Sequence, residues 1–178
     1  MAVLVEANSV IVRVPAVRDR YAGGWPAFAD DAPNNTLCSD GDVARIGFMD
    51  PNDSESFIAS LERRGLIFLR AGESQDIAFA VQGSGVTVPC DWLDYGQIDV
   101  KPGETVAAVW LKGPTPGQVF CPTGWTYERS LSRQYAVTPA EHLEKPLKFL
   151  RHQDGLDVYL NLLTGAEVFI GRPDMASK

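Results

Sequence analysis

The chain is short of the residues that most often carry chemistry. It has two histidines and three cysteines in 178 residues. Cys38, Cys90 and Cys121 are odd in number and widely spaced, which excludes the disulfide framework of a small secreted domain. No CxxC pair occurs, so a zinc ribbon is not expected. This cysteine usage fits a reducing cytosol. Positive charge is also scarce, with 16 Lys+Arg against 23 Asp+Glu for a net −7. Nucleic-acid backbones are held mostly by Lys and Arg, so nucleic acid and anionic membrane surfaces are disfavoured as partners. No run of about 18 apolar residues offers a transmembrane helix. The apolar Ala2 to Val5 is broken by Glu6 and Asn8 and follows no basic region, so it does not read as a signal peptide. A cytoplasmic location is the expectation.

Motifs with a recognisable mechanism are missing as well. There is no GxSxG elbow, no GxxxxGK[ST] loop, no GxGxxG after a strand, no HExxH and no EF-hand loop. Gln82-Gly83-Ser84-Gly85 reads as a hinge or turn. Asp40-Gly41-Asp42 has only two acidic positions of a calcium loop, although a cation site from Asp40, Asp42 and Asp50 is conceivable. No cofactor is expected.

Hydrophobic residues make up 45% and charged residues 22%, the mix of a globular domain. A chain of this length buries about 70% of its surface, enough for one core. We therefore expect a single compact domain over residues 1–178. A seam is expected near residues 82–91, between an N-terminal αβ lobe and a β-rich C-terminal lobe. The fold class is α+β: a mixed, mostly antiparallel sheet, two or three helices and a C-terminal β-meander.

Val3 to Val14 is β-branched and reads as a strand or one long bent strand. Tyr21, Trp25 and Phe28 share one helical face, with the helix restarting at Pro26. Ala44 to Met49 reads as a short buried strand. Asp50 is a natural N-cap, Pro51 suits the first helical position and Gly65 the C′ position, which predicts a helix over Pro51 to Arg64. Leu66 to Arg70 and Asp76 to Val81 read as a hairpin, Gln97 to Val100 as a short strand and Glu104 to Lys112 as a clear one. A short helix follows Thr138. Lys148 to His152, Leu156 to Leu162 and Glu167 to Gly171 form the meander, joined at Asp154-Gly155 and Thr164-Gly165. The residues from Pro173 onward are expected to be loose.

Three kinds of site follow. The first is an acidic face of Asp30, Asp31, Asp40, Asp42, Asp53 and Glu55, suited to a basic protein partner. The second is an aromatic groove for a small molecule, built from Trp92, Tyr95, Trp125 and Tyr127, with Arg129 and Arg133 as an anion clamp if their stretch is helical. The third is a catalytic pairing of Cys90 or Cys121 with His142 or His152, which would need a lowered thiol pKa. The favoured reading is a small acidic binding protein that regulates or neutralises a basic partner. A hydrolase or transferase with a Cys/His centre is the first alternative, and ligand binding in the aromatic groove is the second.

Overall fold

A computed structural model describes residues 1–136, 147–153, 156–161 and 167–171. The chain divides into two compact units, Met1–Arg133 and Gln134–Lys178. Residues 82–91 lie inside the first unit. The fold is α+β with mixed, mostly antiparallel sheets. The helix expected after Thr138, the meander's two turns and the tail from Pro173 lie outside the described residues.

The first unit holds two larger sheets and a short two-stranded one. One has five antiparallel strands in the order β3 (Cys38–Ser39), β4 (Val43–Phe48), β2 (Asn8–Arg13), β7 (Ile77–Val81) and β8 (Gly85–Val86). The other has the order β11 (Val119–Phe120), β1 (Ala2–Leu4), β10 (Glu104–Leu111) and β9 (Leu93–Lys101), with only β1 and β11 parallel. Alternation along β2 assigns its two faces. Val10 and Val12 join a core with the helices α1 (Val14–Arg20), α2 (Gly24–Asp30) and α3 (Pro51–Arg63). Ile11, on the opposite face, joins Val3, Val5, Val43, Ala78, Ala107 and Val109 in a second core shared by both sheets. Trp110 and Ile98 bury the outer face of the four-stranded sheet.

The helix predicted at Pro51 forms with both of its signals in use. The Asp50 side chain accepts the Asn52 N–H at 2.8 Å. At the other end the Gly65 N–H reaches the Glu62 carbonyl at 3.0 Å and the Leu66 N–H reaches the Leu61 carbonyl at 3.2 Å. Gly65 has φ +107°, and a Cβ there would meet the Arg20 carbonyl oxygen at 2.5 Å. This is the Schellman closure that a C′ glycine permits.

Four local expectations change. Val3 to Val14 is two strands in different sheets, because Ala7 takes a left-handed φ of +49° between them. The expected break before Trp25 is present, with one helix from Val14 to Arg20, but the second helix starts at Gly24, ahead of Pro26. Tyr21 and Trp25 still both contact Phe28, with ring centroids 5.6 and 5.5 Å apart. Only β5 (Leu69–Arg70) of the Leu66 stretch is a strand, paired with β6 (Glu73–Ser74). The Ile67 N–H goes instead to the buried Asp76 carboxylate at 2.8 Å, and β7 pairs with β2. Finally, the short strand at Gln97 is part of the nine-residue β9. Gly96 gives it room: a Cβ there would lie 2.9 Å from the Trp110 ring.

In the second unit β12 (Leu147–Gln153), β13 (Leu156–Asn161) and β14 (Glu167–Gly171) form an antiparallel sheet in that order.

Candidate ligand pocket

The site is built where the chain crosses from β1 to β2. A left-handed alanine costs roughly 1–2 kcal/mol, so something must hold Ala7 there. Gln82 does so from both sides. Its side-chain oxygen accepts the Ala7 N–H at 3.0 Å, and its own N–H donates to the Ala7 carbonyl at 2.9 Å. Just before this corner, the Glu6 carbonyl accepts the Ser9 hydroxyl at 3.1 Å and Nη2 of Arg45 at 2.6 Å.

Arg45 is the central residue of the site. It lies in the middle of β4, every residue of which is buried, and it is itself only 3% exposed. Its Nε donates to the Ser9 hydroxyl at 2.9 Å. The guanidinium lies over Gly47, two residues further along the same face, where a Cβ would fall 2.3 Å from Nη2. Gly47 is thus the floor on which the guanidinium rests. Its backbone is held from the opposite edge by the loop after α2. The Asn34 amide donates to the Gly47 carbonyl at 2.9 Å, and the Thr36 hydroxyl accepts the Gly47 N–H at 2.7 Å. Two side chains thereby carry on the strand pairing that β3 begins.

An aromatic wall comes from the turn Pro122 to Trp125. The Trp125 N–H closes it on the Pro122 carbonyl at 3.0 Å, and Gly124 supplies the left-handed residue, φ +80°. Between these parts lies a pocket of about 530 Å³. Its lining includes Asn34, Thr36, Arg45, Gly47, Met49 and Trp125, with Glu6 and Asp53 also in the wall.

The electrostatics are unusual for a buried cation. Among the described residues no ion pair involves Arg45, and its Nη1 makes no hydrogen bond. Burial pushes its pKa down. The Glu6 carboxylate offsets part of this through space, while its hydrogen bonds go to the N–H and hydroxyl of Ser132 at 3.0 and 2.7 Å. Ser132 belongs to α4 (Leu131–Ala136). The thiols of Cys38 and Cys121 interact electrostatically with Arg45, but burial pushes them up to about 11 and about 12. Both are therefore neutral at pH 7. The Trp125 indole N–H is buried and has no hydrogen-bond partner among the described residues.

The residues expected to form sites separate. Trp92 is buried, its indole donating to the Ser74 carbonyl at 3.2 Å with Arg13 stacked over the ring. Tyr95 is half-buried, and its hydroxyl accepts the Gly83 N–H at 3.0 Å. Trp125 lines the pocket; Trp92, Tyr95 and Tyr127 do not. Tyr127 and Arg129 belong to a single 3-10 turn (Tyr127–Arg129), and the extended Ser130 separates it from α4, which carries Arg133. The two arginines therefore lie on different elements and form no helical clamp. Arg129 is exposed, and Arg133 donates to the Glu128 carbonyl at 3.3 Å.

The acidic residues are spread over several elements. Asp30, Asp42, Asp53 and Glu55 are exposed. Asp31 accepts the Tyr21 hydroxyl at 2.6 Å and pairs with Arg64. Asp40 accepts the N–H groups of Asp42 and Val43 in a turn. Among the described residues no group of three or more His, Cys, Asp or Glu is placed to hold a metal ion. Cys90 and Cys121 are half-buried, with thiol pKa values raised chiefly by burial. His142 lies outside the described residues, and His152 stands opposite Asp157 in the β12–β13 register. No described helix is long and apolar enough to cross a membrane.

Arg45, Gly47, Asn34, Thr36 and Glu6 are the site residues that motif reading misses. One signal was available. Arg45 is the lone basic residue between Asp30 and Glu55 and sits inside a strand otherwise apolar, VARIGF. A charge at such a position needs a partner or a use. Neither a family model, nor a curated protein, nor a solved structure matches this chain.

Proposed function

We propose that the protein is a binding module for a small organic molecule, seated in the pocket between the β1–β2 corner, the Asn34–Thr36 loop and the Trp125 turn. The observation that carries this reading is the pocket itself. Its volume of about 530 Å³ falls in the range of small-ligand sites, which pair apolar walls with a few convergent polar groups. Trp125 supplies the aromatic wall, and Arg45, Asn34 and Thr36 supply the polar groups. This keeps the aromatic-groove idea but recentres it on one tryptophan. The basic-partner reading has less support, because Asp31 and Asp40 are bound internally and the exposed Asp30, Asp42, Asp53 and Glu55 are spread over separate elements. The Cys/His reading has less as well, since raised thiol pKa values suppress the nucleophile.

The test is a ligand-observed NMR screen of a diverse small-molecule collection against the wild type and Trp125→Ala. Hits that bind the wild type and lose binding in the variant are expected. A screen without hits, or hits indifferent to the substitution, overturns the reading.

A further inference from the structure

Resting on the pocket reading, one question is what chemistry its ligand carries. A buried guanidinium usually sits against a carboxylate, because removing a charge from water costs several kcal/mol unless it is paired. Arg45 is 3% exposed. It has two hydrogen bonds, to the Ser9 hydroxyl and the Glu6 carbonyl, both neutral acceptors. The Glu6 carboxylate acts on it electrostatically but makes no ion-pair contact with it. The Glu6 carboxylate holds Ser132, Asp53 is exposed on α3, and the neighbouring thiols are protonated. Among the described residues the guanidinium therefore has no carboxylate in ion-pair contact, and its free Nη1 belongs to a residue lining the pocket.

We propose that the pocket's ligand is an organic monocarboxylate whose carboxylate makes the ion-pair contact that Arg45 lacks among the described residues, with its apolar body against Trp125. A carboxylate matches the planar guanidinium fork, and such charge-assisted bonds are about twice as strong as neutral ones. One negative charge also suits the site better than two. Among the described residues Arg45 is the only basic one in the lining, and Glu6 and Asp53 share the wall. A phosphate dianion would gain one cation and face two carboxylates.

The experiment compares matched pairs of probes. Phenylacetate and 2-naphthoate are titrated into the protein beside their primary amides, which keep the shape and remove the charge, and beside phenyl phosphate. Binding is read by calorimetry and by the Arg45 Nε–H resonance. Each acid is expected to bind at least about tenfold tighter than its amide, and tighter than phenyl phosphate, with the Arg45 resonance shifting only for the charged probes. Arg45→Met, close in volume, is expected to abolish the difference between acid and amide while retaining amide binding. If that variant does not fold, the Arg45 resonance of the wild type still decides. Equal affinity of acid and amide overturns the carboxylate assignment and leaves the pocket reading standing. Tighter binding of phenyl phosphate also overturns it. The absence of binding by any probe at millimolar concentration, together with a library screen without hits, overturns both.

Discussion

Gly47 is a glycine because of Arg45. A Cβ at position 47 would stand 2.3 Å from Nη2 and 2.6 Å from Cζ of the guanidinium, inside contact distance of a group that is buried and tied to Ser9 and Glu6. No left-handed backbone is involved, so the constraint is purely one of space. Gly47→Ala must displace the guanidinium or bend β4. The expected cost is about 1–3 kcal/mol, the range for overpacking a filled interior. Urea unfolding monitored by circular dichroism measures it. A loss below ~0.5 kcal/mol, the size of an ordinary surface substitution, would mean that the guanidinium moves away freely and is not fixed by its partners.

The β1–β2 corner depends on Gln82 in the same way. Gln82→Ala leaves the Ala7 N–H without its partner at a half-buried, left-handed residue. An orphaned donor of this kind costs about 1–3 kcal/mol. Amide hydrogen exchange localises the effect: protection should fall at Ala7 and Gln82, while exchange in β9 and β10 stays unchanged. Uniform loss across both sheets would show that Gln82 supports the whole unit and not the corner.

The elements that depend on neighbours in sequence were legible from the chain. The α3 helix, from the Asp50 cap to the Gly65 closure, needs only residues within a turn of each other, and it forms where the pattern places it. The same holds for the strands of the C-terminal meander. What could not be read depends on distant partners. Nothing near Ala7 says that it turns left-handed, because Gln82, 75 positions away, holds it there. Nothing near Ile67 says that Asp76 takes its N–H and ends the strand. The pocket is of this second kind. Arg45, Gly47, Asn34 and Trp125 meet only after both sheets are assembled, and no local spacing joins them.

The contact of Tyr21, Asp31 and Arg64 gives a pH signature. The Tyr21 hydroxyl and the Arg64 guanidinium, both donating to Asp31, hold its carboxyl below the usual value of 3.8. A depressed folded-state pKa adds stability that is present above the unfolded value and lost as pH falls through the folded one. The melting temperature of Asp31→Asn should therefore lie below that of the wild type near neutral pH, and the gap should close below about pH 3.8. Tyr21 adds an alkaline counterpart. Burial first, and then the bond to Asp31, raise its pKa above 10.0. That contribution is present below pH 10 and is lost as pH rises through the raised value. A gap between the two proteins that is constant from pH 2 to pH 7 would show that the carboxylate's charge plays no part.

The thiols beside Arg45 provide an independent check on its charge environment. Cys38 stands opposite Arg45 in the β3–β4 register, and burial pushes its pKa up to about 11. Burial pushes Cys121 up to about 12. The thiolate is the reactive form, and at pH 8 a pKa of 11 leaves about one thiolate in a thousand, against roughly one in ten at 9.0. Iodoacetamide at pH 8 should therefore modify Cys38 and Cys121 far more slowly in the native protein than in urea, with peptide mass spectrometry reading each site. The stability that these raised values contribute is present below pH 9 and lost as pH climbs through 11 to 12, so alkaline unfolding should coincide with labelling of both. Fast native labelling would have a consequence beyond the cysteines. It would mean that one of them is a thiolate, and then Arg45 already has a counter-ion within the chain and no vacancy for a carboxylate. Slow labelling leaves the guanidinium without a thiolate in contact, which is the condition under which an anionic ligand gains most from binding there.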